Sequence, residues 1–410
     1  MKTLLPKLLA LLALITLPLL SQQDKTETAL RAKARKLAHQ YIIVDTHIDA
    51  PYSLRMKWED ISQRIPDGEF DYVRARLGGL DAPFMSIYIP AEYEVTGGAK
   101  QLADTLIDMV DKFAKDWPKK FAIATSVQDV TKQFKRGLVS LCMGMENGSP
   151  IEHDLNNVQY FYNRGIRYIT LAHAKSNHIS DSSYDTTHVW KGLSFFGRRL
   201  VAEMNRVGIM VDVSHISDDA FYEVMNVTKA PVIASHSSCR FYTPGWERNM
   251  SDDMIKLLAA NGGVIQINFG SDFVQAAYRK RDDEEGKEIA AYLKSKNLKP
   301  EDPQARAYDE QYRKDHPIPY ADITDVADNI DHVVKLVGME YVGLGSDFDG
   351  VGDSLPTGLK DVSQYPNLVY ELLKRGYSDK DIQKILGGNL LRVWSRVEQR
   401  AQELRSTGTP

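Results

Sequence analysis

Apolar residues along this chain gather into short runs rich in β-branched and aromatic side chains. Longer stretches with apolar positions at helical spacing separate them. The runs are YIIVDTHID (41–49), PFMSIYIP (83–90), GLVSLCMGME (137–146), YITLAH (168–173), GIMVDVSH (208–215), APVIASH (230–236), GGVIQINFG (262–270) and YVGLGSDFDG (341–350). Segments 99–117, 194–208 and 323–338 predict amphipathic helices; in the second, Phe196, Leu200, Val201 and Met204 share a face. Strands alternating with helices make parallel βα units, and eight of them fit one (β/α)8 TIM-type barrel better than two domains. Residues 271–320 break the alternation with dense charge and prolines, which predicts a mostly helical, solvated insertion after the seventh strand. Helices are expected again over 363–404.

The polar residues at the ends of these runs carry the chemistry. The first strand ends in His47-Ile48-Asp49, the third in Glu146, the fourth in His173, the fifth in His215, the sixth in His236 and the eighth in Asp347. Barrel enzymes place their sites at the C-terminal ends of the strands. Period-two alternation assigns an inner column to each run: Ile43, Asp45, His47 and Asp49; Cys142, Gly144 and Glu146; Ile209, Val211, Val213 and His215; Val232, Ala234 and His236; Gly343, Gly345 and Asp347. Asp45 lies a step deeper and reads as a supporting partner of the ligands. His39, His153, His178, His188, His316 and His332 read as ordinary core or surface histidines. Imidazole plus carboxylate donors suit Zn²⁺, with Mn²⁺ or Co²⁺ as alternatives.

Composition narrows the class. Of 410 residues, 43% are hydrophobic and 26% charged, which excludes a disordered chain, a collagen and a polytopic membrane protein. A net charge of −4 offers no basic field for nucleic acid. Two cysteines exclude a disulfide scaffold, and Cys142 reads as a small core residue rather than a partner of Cys239. Residues 1–21, MKTLLPKLLALLALITLPLLS, have the grammar of a signal peptide: Lys2 and Lys7, an apolar stretch too short to span a bilayer, then polar residues. The expectation is an exported protein, periplasmic or secreted, with no membrane anchor in the mature chain. Residues 22–410 form its one barrel domain.

The motifs DTHIDAP (45–51), GMENG (144–148), GIRYITLAH (165–173), LSFFGRRLVAEMNRVGIMVDVSHIS (193–217), ASHSS (234–238), ERNMSD (247–252), GLGSDFDG (343–350) and GNLLRV (388–393) resemble the membrane (renal) dipeptidase family of zinc metallopeptidases. The resemblance spans roughly residues 41–400. It implies two zinc ions per chain, with His47 and Asp49 on one, His215 and His236 on the other, and Glu146 bridging. It further implies that His173 polarises the scissile carbonyl, that Arg248 holds the substrate's terminal carboxylate, and that Asp347 handles the proton. Arg240 is a rival for the carboxylate role. The implied activity is hydrolysis of dipeptides, with D-residues accepted at the C-terminal position. The alternatives are a related exported hydrolase of N-acyl amino acids or β-lactams, and a metal-binding module without catalysis. The loop 177–192 departs from the animal members and would shape the pocket. A homodimer is left open.

Overall fold

The computed structural model describes residues 26–299, 302–317 and 319–407, so the leader expected at 1–21 lies outside the described residues. Among the described residues there are nine strands: β1 (Ile43–Ile48), β2 (Leu80–Tyr88), β3 (Phe121–Ile123), β4 (Val139–Glu146), β5 (Ile166–Thr170), β6 (Met210–Asp212), β7 (Ile233–Ala234), β8 (Val264–Ile267) and β9 (Val342–Leu344). Eight follow one another in parallel in the order β1-β2-β4-β5-β6-β7-β8-β9. The ends meet where Ile48 bridges Phe348, where the Asp49 N–H donates to the Phe348 carbonyl (2.9 Å) and where the Asp347 N–H donates to the His47 carbonyl (3.1 Å). The result is a nearly closed (β/α)8 barrel. β3 is an extra three-residue strand that pairs only with β4. Its brevity left no periodic signal to find.

The helices start and stop where local chemistry says they should. The helix Phe195–Val207 opens on Ser194, whose hydroxyl accepts from the Gly197 N–H, and closes on left-handed Gly208. The helix Ile323–Val337 opens on a capping box between Asp322 and Asp325. After β8, the helices Ala276–Lys296 and Pro303–Asp315 form the insertion, with few buried residues.

The inner column differs from the period-two reading in three strands. Val44 of β1, Met210 of β6 and Ile233 of β7 pack with Phe84, Cys142, Tyr168 and Val264 inside the barrel, over Trp394 of the last helix, Asn389–Thr407. Ile43, Val211 and Ala234, expected inside, pack outward against the helices. In β1 and β6 the cause is a break in the alternation between the strand's regular part and its functional residue. The pairing of β1 with β2 shifts register between Asp45 and Ile48, and His215 follows β6 in a left-handed conformation (φ 68°). Each irregularity resets the alternation. In β4 and β9 the expected column holds: a Cβ on Gly144 would strike the Tyr168 ring, and one on Gly343 would strike Gln266. Cys142 and Cys239 are both buried and unpaired.

Candidate active site

Six strand ends converge on Glu146, the last residue of β4. Its Oε1 lies 3.1 Å from His215 Nε2, 3.2 Å from His236 Nε2 and 3.6 Å from His173 Nε2. Its Oε2 faces His47 Nε2 at 3.5 Å. Asp49 Oδ2 is 3.3 Å and Asp347 Oδ1 4.0 Å from the same His47 nitrogen. The donors fall into three overlapping groups: His47 with Glu146 and His236, Glu146 with His173 and His215, and His47 with Asp49 and Asp347.

Their supporting bonds orient the imidazoles. The Tyr168 hydroxyl donates to the Thr46 carbonyl (2.9 Å), so His47 Nδ1 donates to it at 2.8 Å. The Ser235 hydroxyl donates to Asp212 (2.6 Å), so His236 Nδ1 donates to Ser235 Oγ at 2.7 Å. Arg248 Nη2 donates to His215 Nε2 at 3.0 Å, which requires a bare nitrogen there. The Nε2 atoms of His215 and His236 are only 2.8 Å apart and both face carboxylate oxygen. His47 Nε2 is buried with no hydrogen-bond partner. Bare imidazole nitrogens crowded around one carboxylate fit a divalent cation, as the orienting partners behind metal-bound histidines do.

The electrostatics agree. Burial, with the Arg248 guanidinium and the neighbouring imidazoles, holds His215 and His236 well below the ordinary histidine range, in the neutral form that binds metals. Burial opposes a charge on Glu146, but His47, His173 and the bonds to His215 and His236 prevail and keep it ionised. Burial likewise opposes a charge on His47, yet Tyr168, Glu146 and Asp49 raise it, so this point favours a positive charge. Burial, with Asp49 and Glu146 nearby, raises Asp347 well above the carboxylate range.

Every residue expected at the site is drawn into this centre, Arg248 less directly than the others. Its guanidinium is buried behind the imidazoles, donating to Ser237 Oγ (2.7 Å) and the His236 carbonyl (2.8 Å) as well as to His215. Arg240 is engaged elsewhere, in a two-pronged pair with Asp218 (2.7 and 2.6 Å). Asp45 clamps backbone on both sides of the barrel seam, accepting from the His47 N–H (3.1 Å) and the Ser346 N–H (3.0 Å). Of the histidines read as ordinary, His39 bonds backbone carbonyls, His178 bonds Glu94 and His332 bonds Asp252. Sequence reasoning missed Asn268, just past β8. Its amide is fixed by the Gly270 N–H (2.8 Å) and donates to Asp347 Oδ2 at 2.7 Å. The signal was available, since Asn268 lies just beyond a strand end like the ligands, but an asparagine is no metal ligand of choice.

The centre forms the floor of a cavity of about 580 Å³. Tyr184, from the loop before Phe195, and Asp272, Tyr278 and Asp282, from the insertion, make its outer wall. Six carboxyl groups line it, and no lysine or arginine does among the described residues.

Residues 31–408 match the membrane dipeptidase family, peptidase family M19. The chain belongs to that family. It is therefore a peptidase hydrolase of the metallo-dipeptidase type. An uncharacterized dipeptidase of Schizosaccharomyces pombe is 32% identical over 384 residues, covering 88% of this chain and 82% of that protein. Dipeptidase verJ of Clonostachys rogersoniana is 32% identical over 396 residues, covering 92% and 89%. The crystal structure of the probable dipeptidase PvdM from Pseudomonas aeruginosa superposes with a TM-score of 0.77 at 26% identity, covering 91% of this chain and 99% of that one. The family implies a metal, and the donor groups around Glu146 could hold it. No helix among the described residues is long and apolar enough to cross a membrane.

Proposed function

We propose that this chain is a binuclear zinc dipeptidase that cleaves dipeptides with a free C-terminal carboxylate and accepts D-residues at that end. The observation that carries the reading is Glu146, whose two oxygens face different donors: His215 and His236 from one side, His47 from the other. A carboxylate so placed can bridge two cations, one held with His47 and Asp49, the other with His215 and His236. Bound there, the metals would supply an activated water and neutralise developing negative charge. His173 is kept neutral by burial and retains one N–H, which can donate to the developing oxyanion. Asp347, whose carboxyl burial raises well above the usual range, can pass a proton to the leaving amine. Asn268 holds one Asp347 oxygen and leaves Oδ1 toward the centre. A cation on His215 Nε2 would compete with the Arg248 bond there. The displaced guanidinium arm is then available for a substrate carboxylate.

The residues 1–21 support export, and N-terminal sequencing of protein from cell fractions tests it. For the activity, the test is metal analysis together with turnover on L-X-L-Y and L-X-D-Y dipeptides. N-acyl amino acids and β-lactams belong in the same assay as the alternative substrates. Two metals per chain with dipeptide turnover is the expected result. Bound metal without turnover on any of these would overturn the enzymatic reading.

A further inference from the structure

Asp347 and Asp349 both adopt the left-handed conformation, each with φ 64°. Non-glycine residues relax out of that region unless the surroundings hold them. The holding partner comes from 280 residues away. The Glu69 N–H donates to Asp349 Oδ1 at 2.7 Å, and the Asp349 N–H donates back to Glu69 Oε2. Glu69 is itself tied down, its carbonyl accepting from the Val362 N–H (3.2 Å). The next residue carries this clasp to the chemistry. A Cβ on Gly350 would lie 2.2 Å from Asp49 Oδ2 and 2.3 Å from Asp347 Oδ1, so the backbone there is pressed against both carboxylates. The Gly350 N–H also closes the turn onto the Asp347 carbonyl at 3.1 Å. The clasp stands where the main cavity adjoins a second one of about 280 Å³, and Ser53 and Asp349 line both.

We propose that Glu69 is a positioning residue for Asp347, acting through its reciprocal hydrogen bonds with Asp349. Glu69 is itself neither in the donor cluster nor among the residues lining the main cavity, and reaches both only through Asp349; its effect is to fix the turn that aims the Asp347 carboxyl. The inference rests on Asp347 being the proton-handling group of the dipeptidase reading.

The test compares Glu69→Ala with Glu69→Gln, whose amide oxygen can still accept the Asp349 N–H. In Glu69→Ala, kcat is expected to fall about tenfold or more, with KM within about threefold and metal content unchanged. Glu69→Gln should stay within about threefold of the parent kcat. Hydrogen exchange of the metal-free protein supplies a readout apart from activity: residues 346–352 should exchange faster in Glu69→Ala and not in Glu69→Gln. If Glu69→Ala does not fold, Asp349→Ala removes the other half of the clasp and must show the same faster exchange and kcat loss. Equal damage in Glu69→Gln would overturn the proposal, because charge and not geometry would then matter. So would a rise in KM at constant kcat, a loss of metal, or unchanged exchange of the 346–352 turn. A parent chain without turnover on any dipeptide would sink the dipeptidase reading and the positioning role together. Parent turnover with an unaffected Glu69→Ala would sink the positioning role alone.

Discussion

A carboxyl group whose pKa is raised holds its proton more tightly and is better suited to serve as an acid, and burial beside Asp49 and Glu146 moves Asp347 in that direction. Asp347→Asn preserves the shape and the Asn268 contact while removing the transferable proton. Its kcat should drop by ~10²–10⁴ with most of the metal retained, measured by steady-state kinetics and elemental analysis on one preparation. Metal lost in step with activity would make Asp347 a ligand instead. Glu146→Gln should behave in the opposite way, losing metal and activity together, because Glu146 is the carboxylate that four imidazoles surround. Full activity in that variant, or a single metal in the parent, would end the binuclear reading. For Arg248, replacement by Met should reduce kcat/KM on a free dipeptide by roughly 10–150-fold, the worth of a charge-assisted bond, while a dipeptide amide changes little. Equal loss on both substrates would assign Arg248 to the support of His215 and His236, which its present hydrogen bonds already provide.

Among the elements, the start of β2 carries a strain that can be titrated. Asp81 is buried and accepts from the Ile43 N–H at 3.1 Å, tying β1 to β2. Burial pushes its carboxyl up to about 7, with the Ile43 bond and Arg76 only partly offsetting it. A carboxyl raised on folding stabilises the folded state only while protonated. Below about 4 both states hold the proton and nothing is lost; from there to about 7 the unfolded chain ionises first and stability declines. Asp81→Asn keeps the acceptor and removes the titration. Against the parent, its unfolding free energy from urea titration should be similar near pH 4 and higher at pH 8, by up to ~4 kcal/mol. A pH-independent difference would show that Asp81 is charged in both states. The same scale explains what could be read in advance. Long periodic segments were legible: the helices ending near Asp116, Val207 and Val337 and the eight barrel strands all left clear patterns. The inner faces of β1 and β6 were not, because alternation cannot be carried across the register shift after Asp45 or through the left-handed turn at His215, and β7 has only two residues to alternate. The candidate ligands were picked out from their place at or just past the strand ends, which survives an error of parity. Asn268, Tyr168 and Glu69 were missed because their work is to hold other groups, and their type and spacing carry no mark of it.

Across the whole molecule, charge is distributed unevenly around the cavity. Two divalent cations would offset Asp49 and Glu146 on the floor, whereas Asp272 and Asp282 stand on the outer wall. Asp272 is raised to about 6 by burial and by Asp282, so it is largely ionised at pH 7.5. Arg279 directs its closest contact to Asp283 (2.7 Å) and lies 3.9 Å from Asp282. Like charges brought together cost affinity, so dipeptides with a glutamyl side chain should be poorer substrates than their lysyl counterparts by about tenfold in kcat/KM. Asp272→Asn should narrow that ratio several-fold, and a ratio unmoved by the substitution would show that substrate side chains do not reach the wall.

The seam between β1 and β9 also bears on how the protein is made. Residues meet there across 300 positions of chain, as in the bridge from Ile48 to Phe348. The proposed ligands run from His47 to His236, and Asp347, the proposed proton-handling carboxyl, comes still later. Loop closure on that scale is slow to pay back during folding. A chain emerging from the ribosome therefore holds its first two ligands long before the others exist, and holds the complete set in place only once the last strand has docked. Metal capture and barrel closure become one event, and metal that binds only the closed form pulls the late step forward by mass action. Refolding yield should accordingly rise with divalent metal in the buffer, while a chain ending before β9 should gain nothing from it.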